Sequence, residues 1–241
     1  LLSTGSVPPS TATAPGVLQQ GAQAPAEPTP SEVHATHCDK EATCLADLHG
    51  LASRTGDLLK LKLDDGKTRT FRSNPKACDD DAQNCNVTAL VGFMPPLHMF
   101  VLRSGGYEIV RYLVVSGRDG KSFDLEAEPR LAPDGRHFVV VAADEMNGWE
   151  RDVAIYSTAS FPPRLEWSYR TEKTDPYSIY SFAGWDGNGR IKLRVSGADK
   201  ETETEVTRTA EGWTLKLTNG ELRTGVSAVQ QNQRRAGDRP S

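Results

Sequence analysis

The chain has no apolar run that would cross a membrane as a helix. Such a span needs about 18–20 consecutive apolar residues. Here 25% of the 241 residues are charged, and the mean hydropathy is −0.51. No transmembrane segment is expected. An excess of one charge is also lacking. The 28 Lys and Arg stand against 32 Asp and Glu, for a net charge of −4. A nucleic-acid partner needs a basic field, so none is expected. The familiar catalytic signatures are missing too. No Gly-x-Ser-x-Gly elbow, Gly-x-Gly-x-x-Gly loop, full phosphate loop or His-Glu-x-x-His helix occurs. These absences exclude the motif-bearing serine hydrolases, nucleotide-binding folds and zinc peptidases. No catalytic residue and no cofactor is expected. Cysteine is sparse, with four in all and no Cys-x-x-Cys pair, which removes the commonest redox and zinc-ribbon patterns.

The four cysteines fall as two neighbouring pairs, Cys38 with Cys44 and Cys78 with Cys85. Four cysteines allow three connectivities, and spacing does not choose among them. The two local pairings need the least rearrangement of the chain. An even count without Cys-x-x-Cys argues for structural disulfides and an oxidising compartment. The expected location is therefore periplasmic or secreted.

Composition divides the chain into three. Residues 1–31 carry six prolines among Ala, Thr, Ser, Gln and Gly. That leader lacks the apolar side chains that would offset the entropy of ordering it, so it reads as an extended tether. Residues 32–229 read as a single β-rich domain. Residues 230–241 read as a flexible tail. At the start of the domain, His34 to Leu51 permits one short helix bracketed by a disulfide.

From Asp57 onward the pattern is strand and turn. DLLKLKL alternates with period two, Asp64-Asp65-Gly66-Lys67 turns the chain, and TRTF follows. This is hairpin grammar. It recurs in MFVLR, in YEIVRYLVVS before Arg118-Asp119-Gly120-Lys121, and in HFVVVAA after Pro133-Asp134-Gly135. DVAIYS, RLEWSYR, IYSFAGW, RIKLRV and EVTRTAEGWTLKLTN complete the series. Short strands at this spacing predict an all-β domain, either β-propeller-like or an open antiparallel multi-sheet assembly, with a short N-terminal helix.

The stretch from Glu128 to Ser157, with Pro133-Asp134-Gly135, the strand Phe138–Val141, Gly148 and then Asp152–Tyr156, resembles one blade motif of the periplasmic Tol-associated β-propeller repeat family. The resemblance covers about 30 residues and implies a blade rather than an activity. GDLLKLKLDDGKTRTF and EIVRYLVVSGRDGKSF share a looser form of it, about 50 residues apart. Only the Pro133-Asp134-Gly135 copy keeps the proline.

Several residue groups suggest chemistry. His34, His37 and Cys38 carry metal-ligand atoms, but pairing of Cys38 in a disulfide removes the thiolate, so no metal site is expected. Asp79-Asp80-Asp81 lacks the order of a calcium loop and reads as a solvated acidic turn. Glu126 and Glu128 share one face of an extended segment, as paired carboxylates of a glycosidase would. Met94, Leu97 and Met99 surround Pro95-Pro96 and read as buried packing. Trp149 follows Asn147-Gly148, and Trp185 precedes Asp186-Gly187. A Trp on a tight turn with polar neighbours has the anatomy of a contact residue. Trp149 and Trp185, with Arg151 and Asp186, are therefore the candidate binding residues. The expected function is an exported or periplasmic binding module that contacts an envelope or extracellular protein or a cell-wall component. The alternatives are a hydrolase of glycans or peptides with dispersed active-site residues, and an inhibitor of a secreted hydrolase.

Overall fold

The computed structural model describes residues 36–48, 50–80, 84–106, 110–142, 151–171, 178–197, 200–217 and 220–224. The expected leader at 1–31 and tail at 230–241 lie outside the described residues, as does Trp149. The described residues form four antiparallel sheets and two short helices. The first sheet is β2 (Ala52–Thr55), β3 (Leu58–Lys62) and β4 (Thr68–Arg72). The second runs β1-β5-β6-β7-β8, with β1 at Thr36–His37, β5 at Val87–Met94, β6 at Met99–Gly105, β7 at Val110–Ser116 and β8 at Ser122–Leu125. The third is a meander of β9 (Arg130–Leu131), β10 (His137–Val141), β11 (Val153–Ser157) and β12 (Arg164–Tyr169). The fourth is a meander of β13 (Ile179–Trp185), β14 (Arg190–Ser196), β15 (Glu201–Thr209), β16 (Gly212–Lys216) and β17 (Leu222–Thr224).

Burial follows directly from the residue pattern. The first and fourth sheets alternate. In β3, Leu59 and Leu61 are buried while Lys60 and Lys62 are exposed. In β14, Ile191, Leu193 and Val195 are buried, and Arg190, Lys192 and Arg194 face water. The central strands of the middle sheets carry continuous buried runs instead. Every residue of β11 is buried, as are His137, Phe138, Val139 and Val140 of β10 and the first four residues of β6. A strand that is apolar on both faces needs cover on both faces.

Three apolar clusters supply that cover. The first joins Leu59 and Leu61 to Leu90, Phe93, Phe100, Leu102 and Val115 of the second sheet. A second fills the space between Met94, Met99, Val101 and Val114 and the third sheet's Phe138, Val140, Ala154 and Tyr156. The third packs Val139, Val153, Ile155 and Trp167 against Ile191, Leu193, Val206, Trp213 and Leu215. The sheets thus stack in chain order. Each fully buried aliphatic side chain adds roughly 1.5–3 kcal/mol. Among the described residues no apolar cluster joins the first sheet to the fourth. The all-β, multi-sheet expectation with a short helix holds, and closure into a ring is not seen.

The Asp-Gly turns repeat in geometry as well as in sequence. Gly66, Gly120, Gly135 and Gly187 all sit at φ between 63° and 80°, a region that suits glycine. In two of these turns the preceding Asp binds the Lys two residues on, through backbone and ammonium alike. Lys67 N and Nζ lie 2.9 and 2.8 Å from the Asp65 carboxylate, and Lys121 N and Nζ lie 3.3 and 2.9 Å from that of Asp119. The turns are not at equivalent places, however. Those at Gly66 and Gly120 close the last hairpin of their sheets, and those at Gly135 and Gly187 close the first.

Helix α1 (Glu41–Asp47) carries Cys44 and is bridged to Cys38, with no exposure of Cys44. Its first residue, Glu41, clamps two sheets. Its carboxylate takes Nε and Nη2 of Arg54 at 2.5 and 2.8 Å and the Leu90 amide at 2.8 Å. Helix α2 (Ala77–Asp80) carries Cys78, which is bridged to Cys85. Both local pairings expected from proximity along the chain are present. Met94 and Met99 are buried on either side of a 3-10 turn at Pro95–Leu97, the packing role expected of them.

The two disulfides differ in access. Cys38 and Cys44 are 5% and 0% exposed inside the first core, whereas Cys78 and Cys85 are half-buried at the lip of a surface hollow. Thiolate attack needs access to a sulfur. Mild reductant followed by alkylation and peptide mass mapping is expected to label Cys78 and Cys85 first. Labelling of Cys44 at equal rate would contradict this packing.

Candidate functional site

The link between β8 and β9 carries Glu126, Ala127, Glu128 and Pro129 from the far edge of the second sheet to the near edge of the third. Its two carboxylates have separate partners. Glu126 Oε1 meets Arg151 Nη1 at 3.2 Å, with both side chains under one-fifth exposed. Glu128 is shared. Its Oε1 lies 2.5 Å from His37 Nδ1 on β1, and its Oε2 lies 3.0 Å from Arg130 Nη2 on β9. His37 also faces Asp39 at 3.5 Å through Nε2. The Arg130 carbonyl then accepts the indole N–H of Trp185, the last residue of β13, at 3.1 Å. One polar chain therefore ties β1, β9 and β13, the first strands of three successive sheets.

The Trp185 ring is half-buried. It meets Trp213 edge-on at 6.3 Å, and Arg208 sits 5.7 Å over the Trp213 ring. Part of the indole thus packs on the third core, and part remains open beside Arg130. Tyr112 on β7 borders the same link. Burial first, and the charge of Glu128 second, push its phenol above its ordinary pKa of 10.0, so it stays protonated at neutral pH.

The residues proposed from sequence divide between places. Arg151 and Trp185 belong to the network around the link. Asp186 does not. It lies on the outer face of the fourth sheet, 3.3 Å from Arg190 Nη1 and 3.6 Å from Lys192 Nζ. Among the described residues no group of three or more His, Cys, Asp or Glu is arranged to hold a metal, and Cys38 is a disulfide sulfur. His34 and Asp81 lie outside the described residues. Glu126 and Glu128, the carboxylates flagged as an acid–base pair, each face a cation.

A buried histidine had no signal in the sequence. His137 begins β10 and is 4% exposed. Its Nε2 lies 3.2 Å from Glu166 Oε2 on β12, and the Trp213 indole N–H points to the same oxygen at 3.5 Å. The Nδ1 is buried with no hydrogen-bond partner among the described residues. The neutral tautomer that donates from Nε2 suits this site, because a proton on Nδ1 would have no acceptor. Desolvation is the main cause that lowers the His137 pKa from 6.5. Glu166 and Asp134 oppose it, and Arg208 adds to it.

A lowered imidazole pKa means that the unfolded chain binds the proton more readily. His137 therefore supports the fold fully above the ordinary value of 6.5, and that support is lost as pH falls through it. Thermal unfolding from pH 7.5 to about 5.5 is expected to lose more stability in wild type than in His137→Asn, which has no proton to take up. Parallel pH profiles for the two proteins would contradict the assignment.

No protein-family model matches the chain, and neither a curated protein nor a solved structure matches it.

Proposed function

We propose that the chain is an exported or periplasmic binding module that contacts an envelope or extracellular protein or a cell-wall component. The observation that carries the reading is the polar chain where the first strands of three sheets meet. Trp185 and Arg151 are held there on a stacked frame by partners of fixed geometry. Side chains locked in place lose little freedom on binding, which favours recognition. A half-open indole beside arginine and carboxylate groups is a common form of protein contact site. Trp149, two residues before Arg151 in the sequence, belongs to the proposed contact set.

Turnover is less well supported by the same geometry. A glycosidic acid must reach the leaving oxygen, and a base must reach water. Glu126 and Glu128 each face a guanidinium, and Glu128 also faces an imidazole. Export is supported by the two disulfides and by the resemblance of residues 128–157 to a periplasmic blade motif. No described helix is long and apolar enough to cross a membrane.

The test uses the full oxidised chain as bait in envelope extract, with chemical cross-linking and mass spectrometry. Wild type is expected to give one saturable partner cross-linked near residues 149–151 and 185. Trp149→Ala and Arg151→Gln are expected to lose it with melting temperatures within a few degrees of wild type. Equal recovery by both folded variants would sink the reading. Glycan or peptide hydrolysis that vanishes in Glu126→Gln or Glu128→Gln would establish the hydrolase instead.

A further inference from the structure

The second sheet carries an open hollow at the end away from its cores. Its floor is built from two cross-strand rows. Val87, Gly105 and Val110 stand side by side in one row, and Ala89 and Arg103 in the next. Gly105 stands between two valines and Ala89 beside Arg103, so the middle of the floor is small. The space left is about 400 Å³, within the roughly 300–1,000 Å³ of small-ligand sites.

One wall is the Cys78–Cys85 disulfide. This wall is fixed in position. Asn74 and Asn86 form a β-bridge, Asn86 Nδ2 donates to the Arg72 carbonyl at 3.3 Å, and Ser104 Oγ donates to Asn86 Oδ1 at 3.3 Å. Gly106 lets the Cys85 carbonyl approach closely, since a Cβ there would stand 2.9 Å from that oxygen. The hollow is therefore bounded by covalent and hydrogen-bonded structure on one side and by the sheet below.

Among the described residues, the one charged group that lines it is Arg103. Its side chain makes no ion pair or hydrogen bond among the described residues. The carboxylate whose charge acts on neighbouring Tyr112 is Glu128, and that group is already held by His37 and Arg130. Val87 remains 42% exposed in the same hollow. An apolar floor beside a guanidinium that no described carboxylate pairs with suits a ligand with one anionic fork and a short apolar body. The floor spans two strand spacings, roughly 10 Å, by one same-face step along the strand, about 7 Å. That footprint takes one or two small aliphatic side chains and is too short for an extended acyl chain.

We infer that this hollow is a binding site for the free C-terminal carboxylate of a peptide ending in small aliphatic residues, with Arg103 gripping the carboxylate and Val87, Ala89 and Val110 receiving the terminal side chain. Glu126, Glu128, Arg151 and Trp185 do not line the hollow, so its test does not depend on the partner proposed for them.

The experiment is calorimetric or NMR titration of the full oxidised chain with acetyl-Gly-Ala-Val bearing a free carboxylate, with the same peptide as its C-terminal amide, and with octanoate. The acid is expected to bind saturably and the amide about tenfold or more weakly, as loss of a charge-assisted fork requires. Arg103→Gln is expected to weaken the acid to the level of the amide with an unchanged melting temperature. Ala89→Leu, which fills the floor, is expected to block binding while Arg103 is intact. Chemical-shift changes on Val87 and Val110 would locate the peptide. Equal affinity for acid and amide, no saturation in the millimolar range, tighter binding of octanoate than of the peptide acid, or full affinity in Arg103→Gln would each overturn the assignment.

Discussion

Burial on both faces of the two middle sheets is the constraint on which the rest of this molecule depends. In β11, Val153, Ala154, Ile155, Tyr156 and Ser157 are all covered, and successive side chains of a strand point to opposite sides. The odd and even residues therefore enter different cores. Ala154 and Tyr156 face the second sheet, while Val153 and Ile155 face the fourth. Neither middle sheet is stable as a single layer. The first and fourth sheets answer this need and stop the stack, because Lys60, Lys62, Arg190, Lys192 and Arg194 leave their outer faces polar. Terminal units with a polar outer face play the same part in repeat proteins.

Stacking in chain order then determines where polar side chains can meet. The connection from one sheet's last strand to the next sheet's first strand must cross the width of the stack. The β8–β9 link does so, and its carboxylates meet partners from distant parts of the chain: Arg151 for Glu126, and His37 and Arg130 for Glu128. The candidate recognition surface is a consequence of that crossing. So is its rigidity, since β1, β9 and β13 are each held by their own sheets. His137 shows the cost of the same arrangement. A polar ring at the first position of β10 falls between two sheets, where Glu166 satisfies its Nε2 and no described partner meets its Nδ1.

Much of the strand pattern was legible because it depends on local alternation. SFDL and IYSFAGW coincide with β8 and β13, and the Leu–Lys alternation of β3 named both its buried and its exposed residues. The strands without a local signal are held by distant partners. β2 is the polar string ASRT, kept in place by the Arg54–Glu41 clamp. β5 is interrupted by a register shift between Leu90 and Gly92 and runs into two prolines. β1 has two residues and exists because β5 offers an edge. The disulfides followed from proximity along the chain. Charged partnerships did not. Glu126 and Glu128 invited a catalytic reading as neighbours in sequence, and nothing nearby announced that Arg151 and His37 would face them. Arg103 was ordinary in the sequence, and its place beside a hollow arises only from Gly105 and Ala89 on adjoining strands.

The open stack is the claim from which the surfaces follow, and amide hydrogen exchange of the oxidised chain tests it most directly. Sheets covered on both faces open only by breaking two cores, whereas an end sheet opens by breaking one. The account predicts the slowest exchange in β6, β10 and β11 and faster, separable opening of β3–β4 and of β15–β16. Equal protection across all four sheets, as a ring with every sheet covered twice would give, or faster exchange in β10 and β11 than in β15 would contradict it.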